Sequence, residues 1–247
     1  MLSYIILGII QGITEFFPVS SSAHLVIAQK LLGVNEQALV VSVVLHLGTC
    51  VALIIFFFKD ILNLLRNFKL LSYIIIVTLI TGIIGISGKD FFEKLFGSPV
   101  LVALALIVTG AILIFTKKFI RAKRNSPNIK DALTLGLTQG IAIIPGISRS
   151  GITISTLLFR GVDRETSFRF SFLASIPAVF GAAILELKDI SLCGNLGAGN
   201  LAIGFVFSLL TGILSLKILK MILGKAKLYY FGYYCIIIAV VTLLFIK

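Results

Sequence analysis

The sequence predicts an all-α integral membrane protein, an inverted-topology repeat with about six transmembrane helices plus two re-entrant helical hairpins, in one membrane domain over residues 1–247. Three observations lead there. Hydrophobic residues make up 58% of the chain and charged ones 13%, about half the charged share of a soluble domain. The mean hydropathy of +1.12 is distributed in helix-length runs rather than short alternating segments, which argues against a barrel. The third observation is that the chain resembles itself at a fixed offset.

The first element, 2–32, is apolar but broken by "TEFFPVSSSAH". It lacks a basic start and runs on through an acid, a proline and a histidine, so it does not read as a signal peptide. Apolar spans follow near 39–58, 70–88 and 98–116, each about the twenty residues a helix needs to cross the hydrocarbon. The segment "KKFIRAKRNSPNIK" at 117–130 is a basic linker. A second broken stretch, 131–160, precedes spans near 167–187, 200–223 and 229–246. Residues 1–116 are therefore the first repeat and 131–247 the second. Cys50, Cys193 and Cys235 are far apart, show no metal-ligand spacing and read as packing residues.

At an offset of 128, Gly8, Gln11, Gly12, Ile13, Ser20, Ser22, Gly33 and Val34 match Gly136, Gln139, Gly140, Ile141, Ser148, Ser150, Gly161 and Val162. Ser21 falls opposite Arg149. "TGI" recurs at 81–83 and 211–213, two residues out of step. Three spans per half turn the second half upside down relative to the first. The charges agree: 59–69, 117–130, 160–169 and 217–227 would share the cytoplasmic side and hold sixteen of the 22 Lys and Arg. Lys30, Lys89, Lys94, Lys188 and Lys247 fall outside, and Arg149 lies within the membrane. The net charge of +12 thus needs no nucleic acid. This parity holds only if the two broken stretches enter and leave by the same face, which is tolerated where they line protein or a wet cavity.

Every acid but Glu15 lies in a loop or near a span end, and Arg149 is the corresponding base. An ionisable group at depth costs several kcal/mol unless paired or hydrated, so each is a functional candidate. Gln11 and Glu15 are i, i+4 on the incoming half-helix; Pro18 breaks it, and Ser20, Ser21 and Ser22 suit a capped restart. Ser21 and His24 share a face at i, i+3. Past Pro145-Gly146, Ser148 can cap, and Arg149 and Thr153 share a face. Two half-helix N-termini, a guanidinium and the hydroxyls of Ser20, Ser22, Ser148, Ser150 and Thr153 suit a phosphate-like anion. Glu15 and His24 suit proton transfer, whereas His46, in a plain span, reads as a core residue.

"Q-x-x-x-E" with "F-F-P-V-S-S-S-A-H", plus "P-G-I-S-R-S-G-I-T", resembles the undecaprenyl-diphosphate phosphatase family of bacteria, the bacitracin-resistance phosphatases. The resemblance implies a bacterial cytoplasmic-membrane enzyme that removes the terminal phosphate of a C55 isoprenoid diphosphate and recycles the cell-wall lipid carrier. It also implies an inverted repeat with two re-entrant regions, and roles for Glu15, Ser21, His24, Ser148, Arg149 and Thr153. Many members carry Glu where this chain has Gln11, so a mechanism needing two carboxylates would lack one of them here. On this reading the substrate enters an outward-facing cavity, Ser21 is the nucleophile activated by Glu15, and phospho-His24 is the rival intermediate. A divalent cation, Mg2+ or Ca2+, bridging the diphosphate and Glu15 is compatible, though the protein offers too few oxygens to hold one tightly. The expected partners are the prenyl diphosphate, the bilayer and, in a dimer, a second copy. A lipid-phosphate or anion transporter is the competing class.

Overall fold

The computed structural model describes residues 1–34, 38–96, 98–119, 124–190, 198–225 and 227–245. Cys193, Lys247 and residues 120–123 of the basic linker lie outside them. The described residues form twelve α-helices and one 3-10 turn. In order these are α1 (Leu2–Thr14), α2 (Ser21–Leu31), α3 (Ala38–Phe56), α4 (Phe58–Leu65), α5 (Phe68–Ser87), α6 (Lys89–Phe96), α7 (Pro99–Phe115), the 3-10 turn Thr116–Lys118, α8 (Ile129–Ile141), α9 (Arg149–Phe159), α10 (Arg164–Ile190), α11 (Ala198–Gly224) and α12 (Tyr229–Phe245).

Helices stand where apolar spans were expected, and two boundaries differ. The span predicted at 39–58 is α3 alone; the chain then bends by 68° into α4, whose apolar face packs Leu64 inward. Lys89–Phe96 forms a short helix that hydropathy did not announce. Among the described residues four helices are long and apolar enough to cross a membrane, or five if the bent pair is one span. Tyr229–Phe245, at 17 residues, falls short on length alone. The spans carry apolar side chains outward: Ile75, Leu79, Ile83 and Ile86 on α5, Leu210 and Leu214 on α11, and Ile237 and Leu244 on α12 are exposed. Faces of this kind have no place in water, and the chain is a multi-pass α-helical membrane protein.

What the helices bury is small and polar where they cross closely. A Cβ on Gly8 would come within 2.6 Å of the Gly204 carbonyl oxygen, and one on Gly12 within 2.6 Å of that of Ser208, so α1 lies backbone-to-backbone on α11. Gly110 of α7 and Gly232 of α12 approach each other the same way. This is small-residue packing, in which van der Waals contact substitutes for a hydrophobic drive that lipid does not supply. Two contacts answer each other across the chain. Thr81 of α5 donates to the Gly136 carbonyl of α8 at 3.3 Å, and Thr211 of α11 donates to the Gly8 carbonyl of α1 at 3.4 Å. Each hairpin is thus held by the TGI helix of the other half.

A phenylalanine cluster fixes the turn of the first hairpin. Phe16 meets Phe172 edge-to-face at 5.7 Å, and Phe57 and Phe168 complete the group. The second hairpin is latched at its base. Asp131 is fully buried, caps α8 with Asn128 in a capping box, and receives a forked bond from Arg124 at 2.7 and 3.1 Å together with the Arg160 guanidinium. Burial alone would raise the Asp131 carboxyl, but donation from Arg124, Arg160 and the Asn128 N–H brings it below the ordinary carboxylate range. Cys50 and Cys235 are buried free thiols, as packing residues should be.

Candidate functional site

The site forms where the two hairpin turns meet. Helix α1 ends at Thr14, with Glu15 in its C-cap position, and α2 restarts at Ser21. Helix α8 ends at Ile141, and α9 restarts at Arg149, its first residue. Gly146, at φ +96°, makes the second turn in a conformation that a side chain would strain. Thr109 of α7 pins that turn, donating to the Gly146 carbonyl at 3.0 Å and accepting from the Ser148 N–H at 3.0 Å. The two turns are close enough that a Cβ on Gly151 would stand 3.2 Å from Pro18.

Glu15 and Arg149, 134 residues apart, are ion-paired: Nη2 of Arg149 donates to Oε1 of Glu15. The second carboxylate oxygen collects three neighbours. Ser21 Oγ donates at 2.6 Å, Gln11 Nε2 donates at 3.1 Å, and His46 Nε2 stands 3.4 Å away. Glu15 is buried, while the Arg149 side chain keeps 21% of its surface. Nη1 of Arg149 is buried and engages no protein acceptor among the described residues. A guanidinium with one arm on a carboxylate and the other unspent is suited to a second anion.

The hydroxyls divide by role. Ser148 caps α9, accepting from the Gly151 N–H at 3.2 Å, and lies 3.3 Å from the Ser150 hydroxyl. Ser20 and Ser22 make the equivalent pair at 3.1 Å. Ser20 does not cap α2 as the sequence suggested. It alone among described non-glycine residues has a positive φ, +66°, and its side chain makes no capping bond. Thr153 donates to the Arg149 carbonyl and lies 2.6 Å from Ser171, tying α9 to α10.

The histidines have partners that sequence reasoning did not name. For His24, Nδ1 is 2.8 Å from the Ser20 carbonyl, and Nε2 is 2.8 Å from the Tyr234 hydroxyl, with the rings stacked. His46 is the imidazole on the carboxylate. The signal for it was available, because an imidazole at membrane depth is as conspicuous by polarity as Glu15, but a neutral ring in an apolar span passes for core. Tyr234 gave no comparable signal, since a tyrosine near a span end normally marks the interface.

Apolar outward faces around a buried carboxylate, guanidinium and hydroxyls define a multi-pass membrane protein with an ionised centre at the junction of two hairpins. Within that class the chain belongs to the family described as Bacitracin resistance protein BacA, whose profile matches residues 4–241. It is 43% identical to the undecaprenyl-diphosphatase of Halothermothrix orenii over 97% of this chain and 96% of the relative. It is 42% identical to that of Carboxydothermus hydrogenoformans, covering 97% and 95%, and 40% identical to that of Methanosphaera stadtmanae, covering 99% and 97%.

Proposed function

We propose that this chain hydrolyses undecaprenyl diphosphate, a C55 isoprenoid diphosphate, to the monophosphate and inorganic phosphate, and so recycles the lipid carrier of cell-wall synthesis. The observation that carries this is the Glu15–Arg149 pair with the Ser21 hydroxyl donated to the same carboxylate and one guanidinium nitrogen unspent. The names of the relatives point to the same reaction and not to transport.

Arg149 Nη1 and the α9 N-terminus receive the terminal phosphate, where the guanidinium offsets charge developing in phosphoryl transfer. Ser21 Oγ attacks the terminal phosphorus while its proton passes to Glu15 Oε2; the bond to the bridging oxygen breaks, and the prenyl monophosphate leaves. Water then attacks the phosphoseryl group and passes its proton to His24, while Glu15 returns its proton to Ser21 Oγ as the Ser21–phosphorus bond breaks and inorganic phosphate leaves. Ser148, Ser150, Ser20 and Ser22 supply donors around the phosphates. Gln11 orients Glu15 but cannot replace it as a base. The donor set does not fit a resident cation: Glu15 is the lone carboxylate at the junction among the described residues, its oxygens are engaged by Arg149, Ser21 and Gln11, and no cluster of three ligating residues occurs among the described residues.

The architecture belongs to the same reading: six spans, two hairpins dipping from opposite faces, and a second half inverted against the first. The paired Thr81–Gly136 and Thr211–Gly8 bonds and the distribution of Lys and Arg support it. The protein then sits in the bacterial cytoplasmic membrane with its cavity opening outward and the prenyl tail in lipid. Phosphate release from C55 diphosphate by the detergent-purified protein tests the function. Loss of roughly a hundredfold or more in Arg149→Ala and in Glu15→Gln is expected; near-normal turnover in Arg149→Ala would end the reading.

A further inference from the structure

We infer that His46 of α3 is a positioning residue for Glu15, so that the reacting centre is built from three chain segments rather than from the two hairpins alone. The inference rests on the proposed phosphatase reading and adds a residue to it.

Consider what holds the carboxylate. Its two oxygens are unequal: Oε1 is committed to Arg149, whereas Oε2 receives the Ser21 hydroxyl and is the atom that must accept the Ser21 proton. Gln11 reaches Oε2 from one turn earlier on the same stretch of chain, so it moves with the hairpin. His46 reaches it from a different helix, at 3.4 Å. Arg149 holds Oε1 from the second hairpin, and His46 is the anchor that reaches Oε2 from outside both hairpins.

The imidazole is itself held. Nδ1 lies 2.8 Å from the Ser42 carbonyl, which only accepts, so Nδ1 donates there; Nε2 faces the Glu15 carboxylate and donates as well, the ring holding Glu15 as an imidazolium. Gln29 of α2 donates to the Ser42 hydroxyl at 3.0 Å, and Thr49 donates to the His46 carbonyl at 2.9 Å. On either side of His46, Ser208 of α11 donates to the Leu45 carbonyl at 2.8 Å, and a Cβ on Gly48 would come within 2.6 Å of the Phe205 carbonyl oxygen. The ring therefore sits on a tightly packed part of α3, with little freedom to follow a displaced carboxylate. Rigid support of this kind keeps a proton acceptor aligned with its donor, and misplacement by about 1 Å can cost on the order of a hundredfold in rate.

The test uses the full chain in detergent with C55 diphosphate. His46→Ala should lower kcat by roughly 10- to 100-fold with KM within about twofold. His46→Gln should restore kcat to within about threefold of wild type, because a glutamine amide N–H can stand where Nε2 does. Unchanged kcat in His46→Ala, a loss confined to KM, or an equal loss in Ala and Gln would each overturn the inference. A double-mutant cycle on thermal unfolding, pairing His46→Ala with Glu15→Gln, reads the contact without turnover. Coupled shifts support it and additive shifts overturn it. A wild-type protein that released no phosphate would refute the proposed function while leaving the cycle to decide the His46–Glu15 contact.

Discussion

At the scale of single residues, the chemistry depends on what each nitrogen and oxygen at the junction is already doing. Arg149 divides its fork between Glu15 and an unspent Nη1, so Arg149→Lys should keep the charge yet lose phosphate binding or Glu15 alignment. Phosphate-release kinetics should show a drop in kcat/KM of about a hundredfold, and full activity in the lysine variant would contradict bidentate use of the guanidinium. Ser21 is expected to carry the phosphoryl group transiently. Rapid acid quench with a terminally labelled substrate should leave acid-stable label on Ser21, whereas acid-labile label would assign the intermediate to His24. The charged pair was legible in the sequence because neither a carboxylate nor a guanidinium has an apolar alibi at that depth. His46 was not, since the same position suits a buried neutral ring. The strained backbone at Ser20 left no trace in a serine triplet that looks made for capping.

Among elements, the two hairpins are held by opposite means. The first lies on α11 through glycines, and Gly12 has no room for a side chain: an added Cβ would meet the Ser208 carbonyl oxygen and, at 2.7 Å, the Gly212 nitrogen, both backbone atoms that cannot swing aside. Gly12→Val should destabilise by about 3 kcal/mol and shift α1 off α11, measurable as a lowered Tm in detergent together with lost turnover. The second hairpin is anchored electrostatically at Asp131. Asp131→Asn removes one charge from a buried cluster and turns one of the two accepting oxygens into an NH2 donor that faces N–H groups of Arg124 and its neighbours, at a cost of roughly 3 kcal/mol. The pH dependence follows from the direction of the shift. Because the folded carboxyl lies below its unfolded value, about 3.9, the stabilisation is fully present above that value and is lost as pH falls through the folded pKa. Acid below about pH 4 should therefore destabilise the wild type more steeply than Asp131→Asn.

For the whole molecule, hydropathy located the helices but not their bends. Nothing in "IIFFFKDILNLL" distinguishes a straight span from one that turns at Phe57, because no proline or glycine marks the place. The recurrence at an offset of 128 stands out more, since glycines, glutamines and serines mark close approaches and polar contacts that apolar filler does not. The proposed inverted repeat commits the chain to a topology that labelling can read. In a background without Cys50, Cys193 and Cys235, single cysteines at Leu2 and Leu31, exposed at either end of the first hairpin, should react with a membrane-impermeant maleimide from outside intact cells. Cysteines at Asn67 and Ser126, exposed beside the basic segments, should react only in inverted vesicles. The outcome depends on parity. If positions 2 and 31 labelled from opposite faces, α1 and α2 would together cross the bilayer and every later helix would change sides. The Lys- and Arg-rich loops would then face outward, and Glu15 and Arg149 could no longer be brought together by hairpins entering from opposite leaflets.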